Sequence, residues 1–317
     1  MNFVGNRYEL LNVEEHIELN KMYEARDAYT NDKVLIKIIE HNDNICGNFI
    51  SNLIDESTML QQINSPYILN IIDVGIHCTE LTTLYYMVSD YSDGITLENV
   101  IRGNYLHLEA IVNIATQVVK ALESINEQGM YHGDLNPSNI LVDEFYNVKV
   151  CNFGLTKANS GINPRACGQI KYLSPHQLCI NYTDSESDLF ALGLMLFESI
   201  FKKLPFEECT SEEDLLRKID KGVNWRKYKA INGNDALISI IKKLLSRGKK
   251  YESTKDIIID LSLVMYEKAD IEDERIEDKI CLENMSVAIT NTTYKKNRLM
   301  VACAMLGLII AMIISMI

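Results

Sequence analysis

Two side chains in the segment HGDLNPSNIL, at His132–Leu141, are suited to group-transfer chemistry. The carboxylate of Asp134 can accept a proton from a hydroxyl group, and the side-chain oxygen of Asn139 can ligate a metal ion. Asn152, in the segment NFG, offers a second neutral oxygen ligand further along the chain. A proton acceptor near metal ligands is an arrangement that activates a hydroxyl group as a nucleophile.

These segments follow the order that is typical of the protein kinase family, and residues 7–266 resemble that family. Lys37, in VLIK, stands at the family's strand lysine, and Glu56 stands at the helix glutamate that pairs with it. VSDY, at Val88–Tyr91, resembles the hinge between two lobes, and Asp188 matches the aspartate that braces the catalytic loop. The resemblance to bacterial, Hanks-type Ser/Thr kinases implies an α+β fold with a small β-rich lobe and a larger helical lobe.

The resemblance also implies a role for each side chain in ATP-dependent phosphoryl transfer. Asp134 would be the catalytic base, Lys37 with Glu56 would hold the phosphates of ATP, and Asn139 and Asn152 would ligate Mg²⁺. The adenine site is expected at five residues, Met22, Leu35, Ser89, Asp90 and Tyr91. The first two of these are bulkier than the family's residues and narrow the adenine slot.

Several positions depart from the family's pattern in ways that weaken nucleotide binding. Glu15, Ile17 and Asn20 replace the glycines of the phosphate-binding loop, so side chains block the approach of the backbone and one adds negative charge. Asn152 replaces an aspartate, and a neutral amide is a poorer Mg²⁺ ligand than a carboxylate. The sequence therefore predicts a pseudokinase that acts in signalling or scaffolding. Its binding of ATP and Mg²⁺ should be weak, with little or no phosphoryl transfer.

Two further replacements occur together in the second lobe. His176, in LSPHQL, stands in place of a glutamate, and Tyr251 stands in place of the arginine that pairs with it in the family. Because both ends of one buried ion pair are absent, no charge is left without its partner, which predicts a stably folded domain. Gly133 replaces the arginine that would bind a phosphorylated activation loop, so activation by that route is not expected.

Two alternatives to the pseudokinase follow from the same motifs. The first is an atypical but active Ser/Thr protein kinase, because Lys37, Glu56, Asp134, Asn139 and Asp188 are all retained. The second is a small-molecule kinase of the aminoglycoside phosphotransferase type, whose loop also reads HGD. The segments LSPHQL and SDLFALGLMLFES belong to the protein kinase pattern and disfavour this second alternative.

Hydrophobic periodicity predicts the elements that must position these residues. Strands are expected at Lys33–Ile39 and Leu84–Val88, and a helix is expected at Asn48–Gln62. Further helices are predicted at Leu108–Gln128, Asp184–Phe201, Glu212–Gly222, Leu237–Leu245 and Thr254–Tyr266. The predicted divisions are an N-lobe at 1–91, a C-lobe at 92–267, an acidic and then polar linker at 268–298, and a transmembrane helix at 299–317.

The segment 299–317 carries no charged residue and has the length of a membrane-spanning helix. Three basic residues precede it: Lys295, Lys296 and Arg298. Because positive charge favours the cytoplasmic side, we expect a single-pass membrane protein with a cytoplasmic N-terminal domain. A stripe of small residues would allow two such helices to pair in a homodimer. These residues are Gly307, Ala311 and Ser315.

The overall composition excludes some partners. The net charge of −13 argues against binding to nucleic acid, whose phosphates would repel the chain. The eight cysteines are scattered without metal-ligand spacing, which is typical of reduced thiols in a reducing compartment. The membrane bilayer is the expected partner of the uncharged segment 299–317. A pseudokinase would also need a protein partner, which the sequence does not identify.

Overall fold

The computed structural model describes residues 3–11, 21–79, 82–103, 106–164, 170–206, 209, 211–228, 235–248 and 251–266. The chain divides into two compact units, Met1–Val264 and Met265–Ile317. The predicted linker and transmembrane helix, at 268–317, lie outside the described residues. Within the described ranges, no helix combines the length and the apolar character needed to cross a bilayer.

A six-stranded antiparallel sheet forms the N-terminal lobe, with the strand order β1-β2-β3-β4-β6-β5. The strands are β1 (Phe3–Val4), β2 (Tyr8–Leu10), β3 (Met22–Asp27), β4 (Lys33–Glu40), β5 (Ile71–Cys78) and β6 (Thr83–Asp90). β4 is buried from Val34 to Ile39, so it lies in the middle of the lobe with both faces covered. The strands predicted at Lys33–Ile39 and Leu84–Val88 are confirmed as parts of β4 and β6.

One helix, α1 (Phe49–Leu60), belongs to this lobe. Its buried residues Phe49, Leu53, Ser57 and Leu60 recur at spacings of three and four, so they share one face of the helix. This confirms the predicted helix at 48–62, with ends one and two residues shorter. The face places Glu56 at the inner side of the lobe, where its side chain is mostly buried.

The C-terminal lobe is helical and carries a small sheet of strands β7 (Ile95–Thr96), β8 (Ile140–Val142) and β9 (Val148–Val150). Its helices are α2 (Leu97–Arg102), α3 (Leu108–Asn126), α4 (Leu155–Ala158), α5 (Pro175–Ile180), α6 (Ser185–Phe201), α7 (Glu212–Lys221), α8 (Asp235–Leu244) and α9 (254–266). Together with the first lobe this is a two-lobed α+β fold. The predicted long helices are confirmed, with ends that differ by at most two residues.

The start of α6 is fixed by a reciprocal capping arrangement. The side chain of Asp184 accepts a hydrogen bond from Ser187 N at 2.9 Å, and the Ser187 side chain bonds back to Asp184 N. Most of α6 is then buried, including its polar residue Asp188. Because the cap defines where the helix begins, it also defines the position of Asp188 beneath the catalytic loop.

Candidate active site

The loop that carries Asp134 is held by a buried carboxylate from α6. Asp188 Oδ2 accepts a hydrogen bond from His132 N at 2.7 Å, and Asp188 Oδ1 accepts one from Gly133 N at 2.7 Å. Burial raises the pKa of Asp188 to about 7. Both oxygens of one side chain thus bind consecutive backbone N–H groups, which gives the loop a single conformation ahead of Asp134.

Gly133 has a second structural role in this loop. Its φ is +75°, and a Cβ atom at this position would lie 2.6 Å from the side chain of Thr156 in α4. A side chain is therefore excluded by backbone conformation and by close packing together. The glycine that replaces the family's arginine is the residue that lets α4 approach the catalytic loop.

Asp134, Asn139 and Asn152 form one hydrogen-bonded chain. Asn139 Nδ2 donates to the Asp134 backbone oxygen at 2.7 Å and to Asp134 Oδ2 at 3.1 Å. Asn152 Nδ2 donates to Asn139 Oδ1 at 2.8 Å, and both amides are buried. The structure therefore brings the predicted base and the two predicted metal ligands together.

The donor set at this point is all oxygen, which suits a hard divalent cation such as Mg²⁺, but it holds only one carboxylate. Asn139 Oδ1 now accepts a hydrogen bond from Asn152, so the amide of Asn152 must turn before both oxygens face a cation. Among the described residues, no cluster of three or more His, Cys, Asp or Glu side chains could hold a metal ion. The oxygen ligands are of the type that Mg²⁺ prefers, but they carry less negative charge than two carboxylates would supply.

Asn163, from the segment after α4, also contacts the catalytic loop. Its Nδ2 donates to the Gly133 backbone oxygen at 2.7 Å and to Asp134 Oδ1 at 3.2 Å. Each carboxylate oxygen of Asp134 thus accepts a hydrogen bond from an amide, from Asn139 at Oδ2 and from Asn163 at Oδ1. Because each carboxylate oxygen can accept a second hydrogen bond, an acceptor hydroxyl group that approaches Oδ1 would share this oxygen with the Asn163 amide.

Glu56 on α1 forms an ion pair with Lys157 on α4, and the distance from Oε2 to Nζ is 3.2 Å. This is a partner that the sequence did not predict. Lys37, the predicted phosphate ligand, lies on β4 beside Met87 of β6 and is buried. The carboxylate that the family uses to orient its strand lysine is thus engaged by α4 in this structure.

The residue after α4, Asn159, joins this segment to the N-terminal lobe. Its Oδ1 accepts a hydrogen bond from Cys46 N at 2.8 Å, and its Nδ2 donates to the backbone oxygens of Asn44 at 2.8 Å and Ile162 at 3.0 Å. The Asn159 side chain is fully buried. Asn52 of α1 donates to the Ala158 backbone oxygen at 2.8 Å. These bonds hold α4 against α1 and against the loop that precedes it.

The predicted adenine residues lie on β3, on β4 and at the end of β6. Leu35 of β4 lies directly opposite Ser89 of β6, so a large and a small side chain are neighbours across the sheet. Leu35 forms a buried apolar cluster with Leu69, Leu141 and Cys151. Met22 and Tyr91 pack against this cluster, and Asp90 is exposed. Residues from both lobes therefore occupy the cleft side by side.

His132 is a structural residue of the loop. Its ring lies 4.7 Å from that of Phe153, and its Nε2 donates to the backbone oxygen of Cys151 at 2.8 Å. Full burial lowers the pKa of His132, so the neutral ring is favoured. His132 therefore packs beneath the catalytic loop, on Phe153.

Comparison with known families decides which family this chain belongs to. The model of the protein kinase domain matches residues 18–260, which is most of the chain. This chain belongs to the protein kinase domain family. The kinase domain is 30% identical to a probable serine/threonine-protein kinase of Clostridium perfringens over 268 residues, which is 82% of this chain and 38% of that protein. It is 28% identical to the serine/threonine-protein kinase PrkC of Bacillus subtilis over 265 residues, which is 81% of this chain and 40% of that protein.

Similarity extends to plant proteins. The kinase domain is 29% identical to the CBL-interacting serine/threonine-protein kinase 12 of Arabidopsis thaliana, over 64% of this chain and 42% of that protein. The chain thus spans about two fifths of the length of these relatives. The match supports the protein kinase interpretation over a small-molecule kinase.

Three residues of the kinase site were missed by the sequence analysis: Lys157, Asn159 and Asn163. Lys157 lies three residues after Gly154, on a helix of four residues. So short a helix shows no hydrophobic periodicity from which the position of Lys157 could be predicted. The two asparagines lie in NSGINP, whose composition is typical of turns and so indicated a loop rather than a contact with Asp134. The predicted phosphate-loop positions Glu15, Ile17 and Asn20 lie outside the described residues.

Proposed function

We propose that this domain is an ATP-dependent Ser/Thr protein kinase with slow phosphoryl transfer. The observation that carries this proposal is the catalytic loop, in which Asp188 holds the backbone before Asp134 and Asn139 holds Asp134 itself. The bacterial and plant relatives are named as serine/threonine-protein kinases, which supports phosphoryl transfer to a hydroxyl group as the reaction class. The proposal differs from the pseudokinase that the sequence predicts, because the positions that accept the proton and hold the loop are intact.

Each side chain has a role in the proposed reaction. Asp134 accepts the proton of the substrate hydroxyl group, and Asn139 and Asn152 would hold Mg²⁺. Lys37 would contact the phosphates, and the adenine ring would lie at the slot lined by Leu35. Bound Mg²⁺ supplies positive charge that neutralises the phosphates during transfer. Because Asn152 brings no negative charge, this neutralisation is weaker, and loss of one such group typically costs about 10²–10³ in rate.

The experiment that tests this proposal measures phosphate incorporation from radiolabelled ATP into casein and into the protein itself. The full-length chain in detergent micelles is incubated with Mg²⁺ or Mn²⁺ beside its Asp134→Asn variant. We expect slow incorporation by the wild type and none by the variant. Equal incorporation by the two folded proteins, or none by either, contradicts the proposal.

A pseudokinase that acts as a signalling scaffold is the second candidate. Two observations favour it: the Asn152 amide donates to Oδ1 of Asn139, the predicted metal-ligand oxygen, and apolar residues of both lobes pack together around Leu35. Nucleotide binding separates the candidates further, since a kinase must bind Mg²⁺-ATP and a pseudokinase need not. Absence of a thermal shift with Mg²⁺-ATP in the folded wild type would support the pseudokinase.

We further propose that residues 299–317 anchor the domain to a membrane with its catalytic lobes in the cytoplasm. The support is the uncharged composition of this segment and the basic residues before it. Cell fractionation of the wild type and of a variant lacking 299–317 tests the anchor, and equal recovery of both in the soluble fraction contradicts it. Pairing through Gly307, Ala311 and Ser315 is tested with Gly307→Ile, which should reduce association in detergent.

A further inference from the structure

Four aromatic side chains pack together at the C-terminal end of α6. Phe197 and Phe201 lie in the last turns of this helix, with ring centroids 4.6 Å apart. The Phe197 ring lies 5.8 Å from that of Trp225 and 4.7 Å from that of Tyr228. Trp225 begins the 3₁₀ turn at 225–227 that follows α7, and residues three apart share one face of such a turn. The cluster therefore fixes this turn against the end of α6.

Four exposed cations lie around this cluster. Arg226 and Lys227 stand between the tryptophan and the tyrosine along the chain, and both are exposed. Lys203 Nζ lies 5.3 Å from the centre of the tyrosine ring, and Lys242 Nζ, from α8, lies 5.3 Å from the centre of the tryptophan ring. Both lysines are exposed as well. We call this set of residues the basic surface: Lys203, Trp225, Arg226, Lys227, Tyr228 and Lys242.

The cations of the basic surface are not paired with carboxylates. No ion pair among the described residues includes any of the four. Of the acidic residues on neighbouring elements, Glu198 accepts a hydrogen bond from the Tyr172 hydroxyl, and Asp220 pairs with Arg247. Asp235 begins α8, about 10 Å along the helix axis from the lysine of the basic surface. The surface therefore keeps a local positive charge in a chain whose net charge is −13.

The basic surface and the catalytic loop lie at opposite ends of α6. Asp188, near the start of this helix, holds the loop before Asp134, and Phe201 is the last residue of the helix. At a rise of about 1.5 Å per residue, these two positions are about 20 Å apart along the axis. A partner on the basic surface is therefore bound away from the candidate active site.

The combination of cations and aromatic rings favours an anionic bilayer as the partner. Lysine and arginine near anionic headgroups each strengthen membrane binding about fivefold. Tryptophan and tyrosine are enriched at the membrane–water interface, and both rings of the basic surface are partly exposed. Residues 299–317 of the same chain have the composition of a membrane-spanning segment. Charge alone would suit an acidic protein equally, so the rings and this segment decide in favour of lipid.

We propose that the basic surface binds the anionic lipid headgroups of a membrane. This inference rests on the proposed membrane anchor, which brings the helical lobe to a bilayer. The four cations contact the phosphates of the lipids, and the rings of Trp225 and Tyr228 lie at the level of the headgroups. The same lipids repel the acidic remainder of the chain, so the domain takes one orientation, with the catalytic end of α6 away from the bilayer.

Tryptophan fluorescence tests the proposal directly, because Trp225 is the single tryptophan of the sequence. The full-length chain is reconstituted in nanodiscs of phosphatidylcholine, alone or mixed with phosphatidylglycerol. Both kinds of disc contain some lipid with a spin label on its headgroup, which quenches nearby tryptophan. We expect quenching of Trp225 to be at least about twofold greater in the anionic discs than in the neutral ones, and this difference to disappear at high salt. Equal quenching in the two kinds of disc overturns the proposal.

Three variants locate the binding. Lys227→Glu should reduce the quenching in anionic discs to the level in neutral discs, whereas Lys227→Arg should keep it, because it keeps the charge. Lys171→Glu makes the same change of net charge at an exposed residue on the catalytic side of the lobe, next to Tyr172, which lines a small cavity with Asp134. This control should change the quenching much less. Equal effects of Lys227→Glu and Lys171→Glu would mean that the lipids respond to net charge alone, and that overturns the basic surface as the site.

Vesicle flotation separates this proposal from the membrane anchor. Neutral vesicles offer no net charge to the basic surface, so flotation with them measures the anchor alone. A wild-type chain that floats only with anionic vesicles, and a folded Lys227→Glu variant that does not, would overturn the anchor and support the basic surface.

Soluble polyglutamate tests whether the partner is an acidic protein instead of a lipid. If the wild type binds polyglutamate, Lys227→Glu does not, and the two kinds of disc quench Trp225 equally, the basic surface belongs to an acidic protein and the lipid proposal is overturned. Thermal unfolding confirms that each variant is folded before its quenching or binding is interpreted.

Discussion

At the scale of single residues, the chemistry of the active site depends on the side-chain nitrogen of Asn152. That nitrogen donates to Asn139 Oδ1 at 2.8 Å, so the two amides satisfy each other without a cation. A carboxylate in the same place could not donate, and two oxygens would then face each other in a buried site. One atom therefore decides whether the site is stable when empty or stable when it holds Mg²⁺.

The substitution Asn152→Asp tests this argument. We expect phosphoryl transfer to rise at least about tenfold, because the second carboxylate strengthens the charge that holds the metal. We also expect a lower melting temperature without metal, since a buried charge then lacks a partner, and a gain in melting temperature when Mg²⁺ is added. Melting curves with and without Mg²⁺ measure the second effect independently of activity.

Asn113→Asp is the matched control, because it makes the same chemical change at an exposed position of α3. Its melting temperature should respond to Mg²⁺ as that of the wild type does. If Asn152→Asp also melts like the wild type at every Mg²⁺ concentration, the metal site is not formed by Asn139 and Asn152.

The roles of individual residues were predictable from the sequence to different degrees. Asp134, Asn139 and Asp188 could be placed because their segments have fixed lengths and the fold brings them together, and the structure does so. The pairing of Glu56 with Lys157 could not be predicted from the sequence, because Glu56 can reach different cations when α4 takes different positions. Spacing predicts which residues lie near the site, and the conformation of a short segment decides which of them pair.

At the scale of elements, α4 connects the two lobes. Its Thr156 packs against Gly133 of the catalytic loop, its Lys157 pairs with Glu56 of α1, and Asn159 after it binds the loop before α1. A helix of four residues has little stability of its own, so these contacts must hold it in place. The same reason explains why α4 was not predicted, whereas the long periodic helices α1, α3 and α6 were.

The substitution Asn159→Ala tests how α4 is held. It removes three hydrogen bonds of a fully buried side chain, and the Cys46 N–H and the Asn44 carbonyl lose these partners. We expect the free energy of unfolding to fall by about 2–3 kcal/mol, which is typical when buried polar groups lose their partners. We also expect faster amide hydrogen exchange in 155–164 and 42–46, which mass spectrometry of peptides can measure.

Asn147→Ala provides the comparison, since Asn147 is exposed and its amide donates to Asp143 at 2.8 Å. This variant should lose less than about 0.5 kcal/mol and keep the exchange rates of 155–164. If both variants change exchange in that segment equally, then Asn159 does not hold α4 to the N-terminal lobe.

At the scale of the whole molecule, the buried ionisable groups make stability depend on pH in opposite directions. Hydrogen bonds from Arg7 lower the pKa of Asp27 to about 2, so its stabilising effect is present above pH 4 and is lost as the pH falls towards 2. Burial raises the pKa of Asp188 to about 7. Between pH 4 and 7 the folded state therefore keeps a proton that the unfolded state has released, and Asp188 lowers stability as the pH rises through this range.

The substitution Asp188→Asn should remove this contribution. We expect the free energy of unfolding of the wild type to fall, relative to that of the variant, as the pH rises from 4 to 7, by on the order of 3–4 kcal/mol. Neutral, buried His132 has the opposite dependence below its ordinary pKa, but it is present in both proteins and cancels in the difference. Urea unfolding at several pH values measures the two curves.

Asp27→Asn is the matched control, because it should leave the slope between pH 4 and 7 unchanged and alter stability only in more acidic solution. A wild-type curve that runs parallel to that of Asp188→Asn over this range would show that Asp188 is ionised in the folded protein, and that its two backbone hydrogen bonds outweigh the effect of burial.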